Sequence, residues 1–194
     1  MSNQKNYMKN FIIVNYLQWL QSVVPIETVK VFKNEIILVI VPEFLVFIVK
    51  FLKLNTQNQY KILTCISGTD YPQYSKRFEV SYEFLSLTYN KRLRLKSYVS
   101  ELDCISTITQ IFPCANWWER EIWDLFGVFF TNNLDLRRIL TDYGFEGHPL
   151  KKCFPLTGYF EVKYQESLGR VICQPIKQLP QEFRNFNFSN PWSD

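Results

Sequence analysis

Two consecutive runs of alternating polarity constrain the fold of this chain more than any other feature. In RFEVSYEF, residues 77–84, every second side chain is large and apolar, and RLRLKSYV, residues 92–99, alternates in the same way. Period-two alternation is typical of a β-strand with one buried face. The two runs therefore predict a hairpin. Matching their apolar positions places Leu87 opposite Leu95, with a three-residue loop at 90–92.

The other face of this hairpin is charged. Glu79 and Glu83 lie on the first strand, and Arg92, Arg94 and Lys96 lie on the second. The basic row could contact RNA, and the formal net charge of +4 permits this. A solvated sheet face or a subunit contact is the preferred interpretation, because this polarity is the default for a half-buried strand.

The remaining patterns predict an α+β (α/β-type) fold: one compact domain with a mixed or mostly antiparallel sheet flanked by helices. The most apolar run, IILVIVPEFLVFIVKFLKL, is interrupted by a proline and by charges, so we expect no transmembrane segment. The predicted elements are an amphipathic helix at 7–22, two strands turning at Asn34-Glu35, a helix from Pro42 to about Leu54, and a short buried strand at 60–67.

The C-terminal part of the chain follows another pattern. After about residue 127 periodicity fades and prolines recur. FPLTGYFEVKY, VICQPI and EFRNFNFSNPW are rich in large apolar side chains but show no clear way to bury them on one another. We predict a globular domain at 1–130, then a motif loop and an extended irregular C-terminal arm at 131–194 that packs on a partner.

The segment NWWEREIWDLFG predicts the best-defined helix. Asn116 is a suitable N-cap, Glu119 can reach back to it, and Gly127 can end the helix in a left-handed conformation. Arg120 and Asp124, four residues apart, can pair on the polar face. The apolar face comprises Trp118, Ile122, Leu125 and Phe126.

Glu119 falls near the aromatic side of this helix and is expected to be partly buried. A buried carboxylate needs a partner. We therefore predict that Glu119 or Glu121 forms a salt bridge with Arg137 or Arg138.

The stretch DLRRILTDYGFEGHPL, residues 135–150, holds raw material for acid–base catalysis in its acids and in His148, the one histidine of the chain. No nucleophile motif and no nucleotide-binding glycine loop accompanies them. His148 therefore fits a hydrogen-bonding strut better than a base, although a proton-responsive contact stays open. Gly144 and Gly147 fit turns with positive φ, and Asp142 lies among them.

The composition gives weaker indications. The five cysteines are scattered and none forms a C-x-x-C pair, which argues against a zinc or Fe–S site in this chain and for a reduced compartment. Ala115 is the sole alanine, while residues with AT-rich codons abound, as in an organellar genome. The first arginine is Arg77, so we expect neither an arginine-rich transit peptide nor a secretory signal.

Together, EREIWDLFGVFFTNNLDLRRILTDYGFEGHPLKKCFPLTGYFEVKY and QEFRNFNFSNPW closely resemble one family, the thirty-kilodalton subunit (subunit 9 type) of proton-pumping NADH:ubiquinone oxidoreductase, respiratory complex I. The resemblance covers the chain from about Ala115 onward. Three positions depart from the family's usual pattern. The family commonly has a histidine or lysine at the position of Asn133, a proline at the position of Leu134 and an acidic residue at the position of Cys153. The functional motif that the resemblance assigns is Glu119, Arg120, Glu121, Asp124, Arg137 and Arg138.

The resemblance implies an α/β-type domain with an extended arm, packed on the forty-nine-kilodalton subunit and on neighbouring quinone-module subunits. It implies no cofactor in this chain, with FMN, Fe–S clusters, NADH and ubiquinone on other subunits. The expected location is the matrix side of the mitochondrial inner membrane, or the cytoplasmic face of a bacterial membrane. In some plants and protists this subunit is encoded in the mitochondrial genome, and no import signal is then needed.

We therefore expect a structural subunit that supports electron transfer from NADH to ubiquinone without chemistry of its own. Two alternatives come from other classes of protein. The first is a basic organellar RNA-binding or ribosomal protein, supported by the basic row and the aromatic residues. The second is a small hydrolase that uses His148.

Overall fold

The computed structural model describes residues 14–32 and 35–176 of the chain. Three predictions fall on residues outside these ranges: the start of the first helix, the turn at Asn34, and the segment EFRNFNFSNPW. The chain divides into two compact units, of which the first ends at Lys152 and the second begins at Cys153. Residues 131–152, which the sequence analysis grouped with the arm, therefore fall in the first unit.

A five-stranded mixed sheet forms the centre of the first unit, as the sequence predicted. Its spatial order is β1-β2-β5-β4-β3, with β2 and β5 parallel and the other neighbours antiparallel. The strand β3 lies at the edge of the sheet, is longer than predicted and alternates between buried and exposed residues, because its successive side chains point to opposite faces of the sheet. The strands are β1 (Thr28–Phe32), β2 (Glu35–Ile40), β3 (Ile62–Asp70), β4 (Phe78–Ser86) and β5 (Lys91–Val99).

The β4–β5 hairpin confirms the predicted faces but not the predicted register. Tyr82 pairs with Leu95, and Ser86 pairs with Lys91, so the loop spans 87–90. The prediction that Leu87 faces Leu95 was wrong. Leu87 instead lies in the loop and is 71% exposed.

The charged face of the hairpin is internally paired. Arg94 bonds Glu83 across the two strands, and the Lys96 Nζ lies 2.6 Å from Glu79 Oε1. Arg92 is exposed. Two of the three cations in the basic row are therefore matched by carboxylates within the sheet.

Helices cover the opposite face and share one apolar cluster with it. The predicted helix start at Pro42 is confirmed, as a 3-10 turn (Pro42–Phe44) that leads into α2. No helix of the described part of the chain is long and apolar enough to cross a membrane. The helices are α1 (14–23 of the described residues), α2 (Leu45–Leu54) and α3 (Ala115–Phe126). A short parallel pair, β6 (Cys104–Ser106) and β7 (Phe129–Thr131), lies on either side of α3 in sequence.

The second unit contains a hairpin that the sequence analysis did not predict. Strands β8 (Phe160–Gln165) and β9 (Arg170–Pro175) are antiparallel and joined by a 3-10 turn (Glu166–Leu168). The arm is thus not irregular throughout its described part. Most large side chains of this hairpin are exposed.

Candidate functional site

The site is built on helix α3, which packs against the edge strand β3. A Cβ added at Gly68 would lie 2.9 Å from the Phe126 ring and 3.5 Å from Ile122, so a glycine lets helix and strand approach closely. The helix ends at Gly127, with φ +78°, as predicted. Its start differs from the prediction: Asn116 lies inside the first turn, and the cap position, Cys114, makes no side-chain cap hydrogen bond.

The predicted capping box is therefore wrong, and Glu119 has other partners. Its buried carboxylate accepts hydrogen bonds from Thr107 Oγ1 at 2.5 Å, from the Ile108 N–H at 2.9 Å and from Asn133 Nδ2 at 2.8 Å. Burial raises the pKa of Glu119, and these three hydrogen bonds only partly oppose that effect. No cation of the described residues lies within ion-pair distance of this carboxylate.

Asp124, five positions along the same helix, is the hub of the motif loop. Its side chain is fully buried and accepts a hydrogen bond from Arg138 Nη1 at 2.9 Å and from Thr141 Oγ1 at 2.7 Å. Burial raises its pKa, but the donors from Thr141 and the backbone outweigh burial and hold the pKa at about 2. Three consecutive backbone N–H groups, of residues 139, 140 and 141, also donate to Asp124 Oδ2.

The arginines of the motif do not pair as predicted. Arg138 pairs with Asp124, and Arg137 pairs with Asp135 at 3.3 Å, so the predicted bridge to Glu119 or Glu121 does not form. The loop folds back over the C-terminal half of α3, where Asp124 lies, and Arg138 is therefore close to Asp124 and not to Glu119. Glu121 is half-buried.

Arg120 is buried rather than paired with Asp124 on an exposed face. Its Nη1 lies 3.4 Å from Asp135 Oδ2, its Nε bonds the Asn116 carbonyl oxygen, and its guanidinium lies 4.2 Å from the centre of the Trp117 ring. Because Asp124 is occupied by the loop, Arg120 turns toward the residues that precede the loop. Asn133 bridges the two regions, since its Oδ1 accepts from the Asp135 N–H at 3.0 Å.

The end of the loop returns to the helix through His148. Its Nδ1 lies 2.9 Å from the Asp124 carbonyl oxygen, and the Leu150 N–H donates to the Leu125 carbonyl oxygen at 3.0 Å. A Cβ on Gly127 would lie 2.7 Å from the His148 ring, so this glycine is required both by its φ and by the histidine. His148 is thus placed as a strut.

The turn before His148 is exposed. Gly144 and Gly147 both have positive φ, as predicted, and Asp142 Oδ1 accepts from the adjacent Tyr143 N–H. These residues do not reach the Glu119 carboxylate through any hydrogen bond of the described chain.

Asp70 is an anchor that the sequence analysis missed. It forms a two-point contact with Arg77 at 2.6 and 2.7 Å, and it accepts from the Lys152 N–H at 2.7 Å. Lys151 also reaches Glu101 at 2.6 Å. The strand pattern could have suggested the Asp70–Arg77 pair across the hairpin, but nothing local links Asp70 to a residue 82 positions away.

No group of three or more histidine, cysteine, aspartate or glutamate residues in the described ranges is arranged to hold a metal ion. The five cysteines are free. The arrangement holds the loop against α3: Asp124 accepts from residues 138–141, and Glu119 accepts from Thr107 and Ile108 before the helix and from Asn133 after it.

Comparison with known proteins gives concordant results. The family model described as "Respiratory-chain NADH dehydrogenase, 30 Kd subunit" matches residues 38–160. The chain is 50% identical to NADH-ubiquinone oxidoreductase subunit 9 of Reclinomonas americana, over 82% of this chain and 78% of that protein. It is 44% identical to the protein of the same name from Prototheca wickerhamii, over 96% of this chain and 94% of that one.

A plant relative is similar over a shorter range. The chain is 53% identical to NADH dehydrogenase [ubiquinone] iron-sulfur protein 3 of Patellifolia webbiana, over 77% of this chain and 78% of that protein. Among solved structures, a chain of the membrane-bound sulfane sulfur reductase, an archaeal respiratory membrane complex, superposes with a TM-score of 0.62. It has 21% sequence identity and covers 76% of this chain and 86% of that one, a likeness that extends to the fold.

Proposed function

Because the chain belongs to the thirty-kilodalton subunit family of respiratory-chain NADH dehydrogenase, we propose that it acts within that enzyme as a scaffold without chemistry of its own. As a complex I subunit it contributes to electron transfer from NADH to ubiquinone. In the proposed role it fixes its neighbours in register, since electron tunnelling and quinone access depend on geometry. The RNA-binding alternative finds no support among the relatives, and two of the three cations in the basic row that suggested it are paired with carboxylates.

One observation carries the proposal: four of the six charged residues of the motif are satisfied by contacts within the chain. Glu119, Arg120 and Asp124 are buried, and Arg138 is held by Asp124. A catalytic site would leave such groups facing a cleft, where substrate can reach them. Here they brace the loop instead, and His148 bonds a helix carbonyl oxygen rather than a nucleophile, which also disfavours the hydrolase alternative.

The braced loop and helix α3 present large side chains to solvent. We call these five residues the docking surface: Trp117, Leu134, Arg137, Leu140 and Tyr143. Leu134 and Tyr143 are as exposed as in an extended peptide, at 102% and 104%. Tryptophan, tyrosine and arginine dominate binding energy at protein interfaces, and a pre-organised backbone reduces the entropy lost on binding.

We assign the forty-nine-kilodalton subunit as the partner of this surface and the matrix side of the inner membrane as its location. Cofactors are assigned to other subunits.

A photo-crosslinking residue introduced at position 143 should yield a product with the forty-nine-kilodalton subunit in isolated membranes. Products with other proteins alone would contradict the assignment.

The docking surface is tested by Leu134→Asp in cells that lack the native protein. We expect the variant to fold but to lower the amount of assembled NADH-oxidising complex in native gels by about fivefold or more, the effect of losing an interface anchor. Leu102→Asp is the matched control, since Leu102 is 97% exposed and lies outside the surface. The purified chain should not oxidise NADH.

A normal amount of complex with Leu134→Asp would contradict the docking surface. NADH oxidation by the purified chain would contradict the scaffold role itself. The KM for NADH of whatever complex assembles should be unchanged, because the proposed defect is one of assembly.

A further inference from the structure

A cleft of about 580 Å³ opens on the charged face of the sheet, and its lining includes no residue of helix α3 or its loop. One wall is the β3–β4 connection, and the floor is formed by side chains of β4 and β5 that alternate with core residues. Its volume is in the range of small-molecule sites. The side chains used below are Tyr71, Tyr74, Lys76, Glu79, Lys96 and Tyr98.

The cleft is preformed. The bidentate Asp70–Arg77 pair closes the base of the β3–β4 connection, and the Tyr71 N–H donates to the Arg77 carbonyl oxygen at 2.9 Å. A turn bond from the Tyr74 N–H to the Tyr71 carbonyl oxygen follows at 3.1 Å. The wall that carries the two tyrosines is therefore held in place before any ligand arrives.

The floor is polar and internally balanced. Glu79 is 5% exposed and accepts from Lys96 at 2.6 Å and from Ser81 at 3.1 Å. Burial raises the pKa of Tyr98 to about 12, with further contributions from its hydrogen bond to Glu79 and from the nearby carboxylate and tyrosines. Tyr98 is thus a protonated donor at neutral pH, and the charge of Glu79 is already matched.

The groups left over are mostly donors held among aromatic rings. The Tyr71 and Tyr74 rings lie 6.0 Å apart, and within the described residues neither hydroxyl makes a hydrogen bond. The same holds for Ser75 and for the Lys76 ammonium, while Glu27 is the one unpaired carboxylate of the lining. Lys96 has further N–H groups beyond the one given to Glu79. Rings favour a flat apolar body, and an excess of donors favours acceptor oxygens.

We propose that this cleft binds a planar aromatic carboxylate. The aromatic body lies against Tyr71 and Tyr74, and the carboxylate accepts from Lys76 and from the outward N–H groups of Lys96. The site is separate from the docking surface, so its occupancy does not depend on the scaffold role.

The proposal is tested with 2-naphthoate as probe and the ¹⁵N-labelled full chain in two-dimensional NMR. We expect saturable shifts confined to the amides near 71–76 and 96–98. The probe 2-naphthylmethylammonium, which has the same rings with a cation, should bind at least about fivefold more weakly, because its charge opposes Lys76 and Lys96.

Two variants and two matched controls complete the test. Tyr74→Leu should weaken 2-naphthoate binding about fivefold through loss of ring contact, and Lys76→Gln about threefold through loss of one exposed charge. Tyr164→Leu and Lys163→Gln, exposed positions on β8, should leave binding unchanged. Absence of saturation up to about 10 mM, a range of weak small-ligand binding, would overturn the proposal. Equal binding of both probes, or equal loss in the controls, would overturn it as well.

Discussion

The two halves of helix α3 each bury a carboxylate, yet they treat it in opposite ways. Glu119 in the first half receives three hydrogen bonds from neutral groups, and burial raises its pKa. Asp124 in the second half is equally buried, but donors from the Thr141 hydroxyl and from the backbone N–H groups of residues 139–141 hold its pKa at about 2. Burial acts in the same direction at both sites. The number of hydrogen-bond donors decides the outcome.

The difference has a structural meaning. The donors of Asp124 come from four consecutive residues of one loop, Arg138 to Thr141. The carboxylate therefore determines the conformation of this loop. The donors of Glu119 come from two separate segments, around Thr107 and Asn133. We conclude that Asp124 shapes a local surface, whereas Glu119 joins parts of the chain that have their own structure.

The largest effect is expected for Asp124→Ala. The substitution leaves Arg138 without its partner and three backbone N–H groups without an acceptor, so the free energy of unfolding should fall by about 3–5 kcal/mol. Urea denaturation of the purified chain measures this. Glu121→Ala on the same helix is the control and should change stability by about 0.5 kcal/mol or less. A loss below about 1 kcal/mol for Asp124→Ala, the value of an ordinary hydrogen bond, would show that the loop does not depend on this carboxylate.

A smaller effect is expected for Gly127→Ala, which disturbs the contact between His148 and the C-terminal end of α3. Alanine in a left-handed conformation costs about 1–2 kcal/mol, and its Cβ would also displace the His148 ring. Gly144→Ala has a similar φ of +71° but nothing within 4 Å of the added Cβ, so it carries the backbone cost alone. Thermal unfolding should show a greater loss for Gly127→Ala. Equal losses would mean that His148 moves aside freely.

The smallest effect, and the sharpest contrast, is expected for Glu119→Gln. At neutral pH it should lower stability by about 1 kcal/mol, because the amide keeps the size of the side chain but its NH2 group cannot accept from the donor that faces it. The sign of its pH dependence distinguishes the two sites. Folding raises the pKa of Glu119. Its contribution to stability is therefore present when the pH is below the ordinary pKa of glutamate, and it is lost as the pH rises through the pKa of the folded state.

Asp124 behaves in the reverse way. With its pKa lowered to about 2, its contribution is present above the ordinary aspartate range and is lost as the pH falls from about 4 to 2. Urea titrations of Glu119→Gln and Asp124→Asn between about pH 2 and 7, the window of these linkages, should therefore diverge. As the pH rises, the free energy of unfolding of Glu119→Gln should increase relative to that of the native chain. The free energy of unfolding of Asp124→Asn should decrease relative to it. Parallel profiles would remove the distinction between the two halves of the helix.

Much of the fold followed from local patterns. The alternation in β4 and β5 predicted which side chains face the core, and Gly127 predicted the end of α3, because both depend on the geometry of a few consecutive residues. The hairpin register could not be obtained in this way. The alternation is the same for several registers of one parity, and the four-residue loop at 87–90 decided among them.

For the site, the sequence by itself determined which residues carry charge, that Glu119 is at least partly buried, and that Gly144 and Gly147 occupy turns. Only the tertiary structure decided the pairing: Asp124 rather than Glu119 for Arg138, Asn133 for Glu119, and Lys152 for Asp70. The physical reason is that a turn or a helix end is stabilised by its immediate neighbours. A buried charge takes whichever donors the packing brings to it, here up to 82 positions away.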